Sequence, residues 1–326
     1  MKEIINKMIY PLNDDFKEFN SFLERNLHSR VNIINSITKY LIKNKGKQFR
    51  SILCLLSSRL MDNKVNELSF LSASTVEILH VATLLHDDVV DDSDIRRGWP
   101  TVNKIWKNKL SILIGDYLFS KSLTNISKFN DLNCVKVLSD ISERLSEGEI
   151  MQIEKAINKD MNEEEYFKMI SDKTASLISA SCYLGLYSTN QDKELCNTIK
   201  NFGEYLGIAY QIKDDLFDII GNINNTGKKS NLDLKKNMLT LPYIHVLSKL
   251  NNREKKQFLN KIKKNASKSD ISNIKDMISD FGGINYTENK IIEISNKAKE
   301  MLNKFPESKY KDALNLAVEF NITRVH

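Results

Sequence analysis

Glu77-Ile78-Leu79-His80-Val81-Ala82-Thr83-Leu84-Leu85-His86-Asp87-Asp88-Val89-Val90-Asp91-Asp92-Ser93-Asp94-Ile95-Arg96-Arg97-Gly98-Trp99-Pro100-Thr101 is the stretch from which the rest of the chain can be read. An apolar run with helical periodicity carries straight into five aspartates within eight residues, then into paired arginines and a Gly/Pro break. Asp87 and Asp91 stand one helical turn apart and share a face; Asp88, three before Asp91, joins them. Like charges at that spacing destabilise a helix by about 0.2–0.5 kcal/mol per pair. The penalty grows beside a run as apolar as residues 81–85. A cation that neutralises the acids resolves the conflict. Oxygen-only donors favour magnesium, which one or two carboxylates hold while substrate phosphates and water complete its octahedron.

Working outward, residues 207–221 repeat the pattern: Gly207-Ile208-Ala209-Tyr210-Gln211-Ile212-Lys213-Asp214-Asp215-Leu216-Phe217-Asp218-Ile219-Ile220-Gly221. This is again Asp-Asp-x-x-Asp inside an apolar helical stretch. A solvated acidic helix face explains one such motif; two, over a hundred residues apart, are hard to assign to solvent. Two facing clusters would clamp a polyanion through shared metal ions. Here the chain resembles the trans-isoprenyl diphosphate synthases, or polyprenyl synthetases, whose two aspartate-rich motifs have this form. The likeness runs from about Lys45 to about Gly283, and further motifs fall in the family's order.

Composition sets the bounds. The chain has 326 residues, 41% of them hydrophobic, enough for a substantial core. Glycine (11) and proline (4) are scarce, which favours long helices over turn-rich sheet. A net charge of +6 is well short of a nucleic-acid signature, and Lys/Asn-rich stretches such as 251–268 read as solvated helix faces. Cys54, Cys134, Cys182 and Cys196 show no Cys-x-x-Cys spacing; Cys54 and Cys182 read as reduced core residues of a cytosolic protein. No apolar run approaches the roughly 18 residues of a membrane span, and no signal peptide is apparent. The expected localisation is cytoplasmic.

Helical periodicity covers 15–43, 51–61, 68–92, 105–127, 132–158, 163–189 and 193–220, with shorter helices to about 322. Residues 221–237 read as a polar loop. Gly98-Trp99-Pro100 closes the motif helix, and Gly115 and Gly148 mark close helix contacts. There is no strand alternation, repeat or low-complexity linker. The expectation is an all-α fold, one domain over 1–326, built as a bundle of long helices. The resemblance adds a central cavity of the isoprenoid synthase type.

An anion held by acid-bound metals needs cations too. Lys45-Gly46-Lys47-Gln48-Phe49-Arg50-Ser51 resembles the family's Gly-Gly-Lys-Arg-x-Arg-Pro with three departures, and keeps Lys47 and Arg50 at a helix start. By resemblance these bind isopentenyl diphosphate together with His80, which alone would read as a satisfied core histidine. Arg96 and Arg97 could merely balance the aspartates; the resemblance sends Arg96 to the allylic diphosphate and Arg97 to isopentenyl diphosphate, and arginine's planar fork suits both. Lys173 and Thr174 would pass for an exposed pair; the resemblance makes them, with Gln211, ligands of the allylic diphosphate. Tyr210, where the family usually has phenylalanine, would shield a cation or simply pack. Gly221…Gly227-Lys228-Lys229-Ser230 fails as a P-loop, because five residues separate the glycines and Lys229 replaces Ser/Thr. The resemblance makes Lys228 a cation closing over the diphosphate. Downstream, Asn237-Met238 stands where the family carries a Gly-Lys pair, so one phosphate lysine is lost or replaced by Lys235 or Lys236.

What the resemblance implies is a magnesium-dependent prenyltransferase. Asp87, Asp91 and Asp214 would hold Mg2+, with Asp88, Asp215 and Asp218 as further ligands or supports, and the catalytic set would be Asp87, Asp88, Asp91, Asp214, Asp215 and Lys173. Neutralising the leaving group contributes most to the rate; isopentenyl diphosphate then attacks the allylic cation and pyrophosphate removes the proton. One turn before Asp87, roughly 5–7 Å away by helix rise, small Ala82 and Thr83 leave the product tunnel open where short-chain relatives place an aromatic stopper. The product is therefore expected to exceed farnesyl, as for a quinone side chain, with a short-chain (farnesyl or geranylgeranyl) enzyme as alternative. Glu77-x-x-His80 fits one half-motif of a di-iron bundle, but two are required. A terpene cyclase typically has one clean aspartate-rich motif, and a non-catalytic prenyl-diphosphate-binding subunit usually has eroded ones. The family implies a homodimer.

Overall fold

The computed structural model describes residues 2–220, 237–262 and 267–323. Helices run α1 (Lys2–Ile9), α2 (Asn13–Asn26), α3 (Asn32–Lys43), α4 (Phe49–Ser58), α5 (Glu67–Val90), α6 (Val102–Ser127), α7 (Leu132–Asn158), α8 (Glu163–Ile170), α9 (Ser176–Tyr187) and α10 (Lys193–Ile220). Then come α11 (Leu241–Lys249), α12 (Asn252–Lys261), α13 (Lys268–Asp280), α14 (Gly283–Leu302) and α15 (Lys309–Thr323). The all-α expectation holds. A hairpin of β1 (Ile95–Arg96) and β2 (Trp99–Pro100) is the sheet among the described residues.

Two helices stand where 15–43 reads as one, because Asn35 bridges the break. Its Oδ1 accepts from the Ser29 amide at 2.9 Å, and its Nδ2 donates to the Ser29 carbonyl at 2.7 Å. The hairpin was too short to alternate. Its turn, Arg97-Gly98, has φ of 54° and 81°, both left-handed as a tight two-residue connection of this kind requires. Between α8 and α9 the helix widens into one π turn, Ser171–Ala175.

The chain forms two compact units. The first comprises residues up to Asp140 with Leu177–Lys200 and Leu302–Leu316. Its core includes Phe19, Ile37, Leu53, Leu55, Leu56 and Leu184, all fully buried. Asn66 caps α5 by accepting from the Ser69 amide at 2.9 Å, which satisfies one of the orphan donors of the first turn. α5 packs on α4 and α6. Small residues let the backbones close in: Ser72 donates to the Leu184 carbonyl at 3.1 Å, and a Cβ on Gly185 would lie 2.1 Å from the carbonyl oxygen of Cys54. All four cysteines are free and buried.

The second unit comprises Ile141–Ser176 with the described parts of Asn201–Met301 and of the chain from Ala317. Tyr166, Ile212, Leu216, Tyr243 and Phe258 form its core. Met238 also packs there at 8% exposure, so the position resembling a phosphate lysine is an apolar contact.

One expectation needs correction. Within the 24-residue helix α5, an 18-residue window has a mean hydropathy of 1.5, long and apolar enough to cross a membrane. Its Ser and Thr break up the apolar run but barely lower that mean. In the structure 72% of that stretch is buried, as for a core helix that is apolar on every side.

Candidate active site

In the first unit, α5 carries His80 and the first acidic motif on one rigid rod. Asp88 is 4% exposed, and its Oδ1 accepts from Arg96 Nε at 2.8 Å. Burial raises the Asp88 carboxyl, Arg96 pulls it back, and Asp91 adds repulsion. Asp87 is half-buried at the surface of α5, while Asp91, its C-cap, is exposed. The hairpin turn carries Arg97 against Gly46, where a Cβ would meet the guanidinium Nη1 at 2.1 Å. Gly46 is therefore a seat for Arg97 as well as a turn.

Arg50, at the start of α4, donates to His80 Nε2 at 3.1 Å. That bond requires a neutral imidazole. Burial first, then Arg50, Arg97 and Arg96, hold His80 well below its ordinary value, in agreement. Lys47 lies just ahead of α4 rather than on its first turn. Glu77 is 7% exposed and accepts from the Ser51 hydroxyl at 2.7 Å; burial raises its carboxyl against the pull of Ser51, Arg50, Arg97 and Lys45. The Glu77/His80 pair thus binds protein groups, Ser51 and Arg50.

A cavity of about 110 Å³ opens beside these residues. Lys45, Glu77, His80, Asp88, Arg96 and Arg97 give its wall charge, while Leu23, Leu27, Leu41, Ile78, Leu84 and Leu118 make the remainder apolar. Gln48, in a left-handed conformation (φ 52°), also lines it; its side chain is buried, and Nε2 has no hydrogen-bond partner. Ala82 is 2% exposed, and the Thr83 hydroxyl donates to the His80 carbonyl at 2.9 Å.

In the second unit, α10 carries Gln211, Asp214 and Asp215. Asp215 is 8% exposed; Tyr166 donates to its Oδ2 at 2.6 Å and Gln211 Nε2 to its Oδ1 at 2.7 Å. Burial pushes its carboxyl up to about 7; Tyr166 and Gln211 oppose that, and Asp214 and Asp218 reinforce it. Thr174 donates to Gln211 Oε1 at 2.9 Å. Lys173 donates to Gln152 Oε1 at 3.0 Å and pairs with Glu149, both on α7. Lys228, with Lys235 and Lys236, lies outside the described residues.

The two motifs share one design. In each, the second aspartate is buried and bound by protein donors, Arg96 for Asp88 and Tyr166 with Gln211 for Asp215. Among the described residues no three His, Cys, Asp or Glu side chains form a ready-made closed metal cage. The donors are oxygens, and burial, reinforced by repulsion from Asp214 and Asp218, drives Asp215 upward. Such a set fits magnesium, which shares its octahedron with substrate oxygens and water. Sequence reasoning gave no role to Tyr166, Glu149 and Gln152; it read Gly46 as a turn, quoted Gln48 only as part of the stretch 45–51, and weighed Glu77 only with His80 as a di-iron half-motif.

Residues 31–280 match the polyprenyl synthetase family. The chain is 34% identical over 242 residues to heptaprenyl diphosphate synthase component 2 of Bacillus subtilis, covering 74% of this chain and 69% of that one. Decaprenyl diphosphate synthase of Rhodobacter capsulatus superposes with a TM-score of 0.92 at 30% identity, over 99% of both chains. Geranylgeranyl pyrophosphate synthetase of Pyrococcus horikoshii gives 0.90 at 27% identity, again over 99% of both.

Proposed function

The chain belongs to the polyprenyl synthetase family, and we propose that it condenses isopentenyl diphosphate with an allylic diphosphate to give an all-trans polyprenyl diphosphate longer than farnesyl, with release of pyrophosphate. The observation that carries this reading is the paired design of the acidic motifs, each with its middle carboxylate buried and fixed by donors. Long-chain relatives and small, buried Ala82 support the product length.

Asp87 and Asp91 of the first unit and Asp214 of the second would hold magnesium, whose charge, when bound, would offset that of the leaving diphosphate. Asp88 and Asp215 hold their motifs in place through the bonds just described. Arg96, Lys173, Thr174 and Gln211 bind the allylic diphosphate, and Lys228 adds a cation. Lys47, Arg50, His80 and Arg97 bind isopentenyl diphosphate, whose double bond attacks the allylic cation. A neutral His80 suits this role because it offers a hydrogen bond without adding charge to three arginines. No side chain is assigned as base; pyrophosphate takes the proton. Preorganised cations aimed where negative charge develops on the departing oxygen carry the rate.

Exposed Ile150, Ile153 and Ile157, spaced along one face of α7, support self-association as a homodimer. The deciding experiment incubates the pure chain with labelled isopentenyl diphosphate and farnesyl diphosphate, with magnesium and with a chelator. Chain extension only with metal is expected, and chromatography of the products gives their length. No incorporation under either condition would sink the reading.

A further inference from the structure

We propose that Arg144 is a positioning residue for the allylic diphosphate site: it braces the π turn at Ser171–Ala175, from which Lys173 and Thr174 reach their partners. The inference rests on the reading that Lys173 and Thr174 hold that diphosphate. It adds a residue that touches neither substrate nor metal ligand.

A π turn is rare, and it holds one residue more than α geometry would place there. One extra residue offsets the helical phase by about 100°. Reversion to regular α-helix would therefore rotate the side chains of the turn relative to α8. Something must hold the wider form. Arg144, on α7, donates from Nε to Asp172 Oδ1 at 2.7 Å and from Nη2 to Ser171 Oγ at 2.8 Å. Its Nη2 also lies 2.7 Å from Glu204 Oε1 on α10, and Ser171 Oγ donates to the same carboxylate. One planar fork thus ties two successive residues of the π turn to a third helix, a geometry that lysine does not reproduce.

Three further contacts fix the register. The Ser176 hydroxyl donates to the Asp172 carbonyl at 2.6 Å. Lys168 pairs with Asp172 Oδ2 at 3.2 Å. Gly148, one turn along α7 from Arg144, presses on the same segment: a Cβ there would lie 2.6 Å from the Lys173 amide nitrogen and 3.1 Å from its Cα. Both neighbours are backbone, so a side chain at 148 must push the turn away. Asp172 is 7% exposed, so the pair it makes with Arg144 is largely shielded from water. Breaking that pair leaves the buried Asp172 carboxylate with Lys168, 62% exposed, as its remaining cation.

The consequence propagates along bonds already described. Lys173 reaches Gln152 and Glu149; Thr174 reaches Gln211, which holds Asp215. If the turn rotates, the diphosphate loses Lys173 and Thr174 together, and Gln211 loses its orienting partner. The isopentenyl diphosphate residues belong to the other unit, and the network around Arg144 includes none of them.

The test compares full-length wild type with Arg144→Lys and, as an independent disturbance of the same turn, Gly148→Ala. Hydrogen exchange of the amides in 171–176 is measured beside steady-state kinetics with farnesyl and isopentenyl diphosphates. In both variants exchange at 171–176 should accelerate while the remainder of α7 and α8 keeps its protection. kcat/KM for farnesyl diphosphate should fall up to about a hundredfold, the scale of a misplacement of about 1 Å, and KM for isopentenyl diphosphate should hold. Unchanged exchange at 171–176 overturns the proposal, as does an equal rise in both KM values or loss of protection throughout the second unit. A wild-type protein that extends nothing sinks the proposed reaction instead. The exchange data then decide the role of Arg144 alone.

Discussion

The phenol of Tyr166 donates to Asp215 Oδ2 at 2.6 Å inside the second unit. The acceptor is 8% exposed, so no solvent replaces a lost donor. Tyr166→Phe keeps the ring in the core and removes only this bond. Leaving a buried acceptor unpaired costs about 1–3 kcal/mol. A lower melting temperature and reduced turnover are expected; unchanged values for both would show that the bond does not hold the motif.

Asp87→Ala and Asp214→Ala remove two of the proposed magnesium ligands. Turnover should fall by orders of magnitude while the far-ultraviolet circular dichroism stays helical. Wild-type rates in either variant would remove that aspartate from the metal site.

Gly46→Ala tests the seat of Arg97. The clash falls on the far end of a flexible side chain, so the guanidinium moves and the fold survives. KM for isopentenyl diphosphate should rise about tenfold, equivalent to about 1.4 kcal/mol, with KM for the allylic substrate unchanged. Equal effects on both substrates would count against a role for Arg97 confined to isopentenyl diphosphate.

His80 gives a pH signature. Its folded pKa lies well below the ordinary value, which is about 6.5 in an unfolded chain. Between those two values the unfolded state binds more protons, so stability rises with pH and levels off above about 6.5. His80→Gln should remove that component. Because Glu77 is raised, its contribution has the opposite sign, present at low pH and lost as pH climbs through its folded pKa. The informative quantity is therefore the difference between wild type and His80→Gln, measured by urea denaturation from acid to neutral pH. A difference that does not vary with pH would refute a neutral, depressed His80.

Ala82→Phe tests product length. Ala82 is 2% exposed, so a phenyl ring overpacks the first unit at a cost of about 1–3 kcal/mol. Shorter products are expected alongside the lower melting temperature. Destabilisation with an unaltered product distribution would take Ala82 out of the tunnel wall.

Much of this was legible beforehand, for stated physical reasons. Both acidic motifs lie on helices whose apolar periodicity is strong, so α5 and α10 and their Asp-Asp-x-x-Asp spacing read directly. Gly115 and Gly148 read as close contacts, and each does meet a neighbour: the His86 ring, and the backbone at Lys173. What stayed hidden depends on tertiary partners. Tyr166 looks like any core aromatic until Asp215 arrives from 49 residues away. Arg144, Glu149 and Gln152 look like a solvated face of α7, and nothing local distinguishes them. The π turn leaves no composition signal, because several of its contacts, those to Arg144 and Glu204 among them, come from distant helices.

Gly185 against the Cys54 carbonyl, and Ser72 against that of Leu184, key three helices together at backbone distance. Sliding α5 by even a fraction of a turn would break that fit. The rod that presents His80 and the first acidic motif is thereby denied freedom to adjust. If the chain binds a diphosphate as proposed, tightening around it falls to long side chains such as Lys47, Arg96 and Arg97, whose ordering costs rotamer entropy.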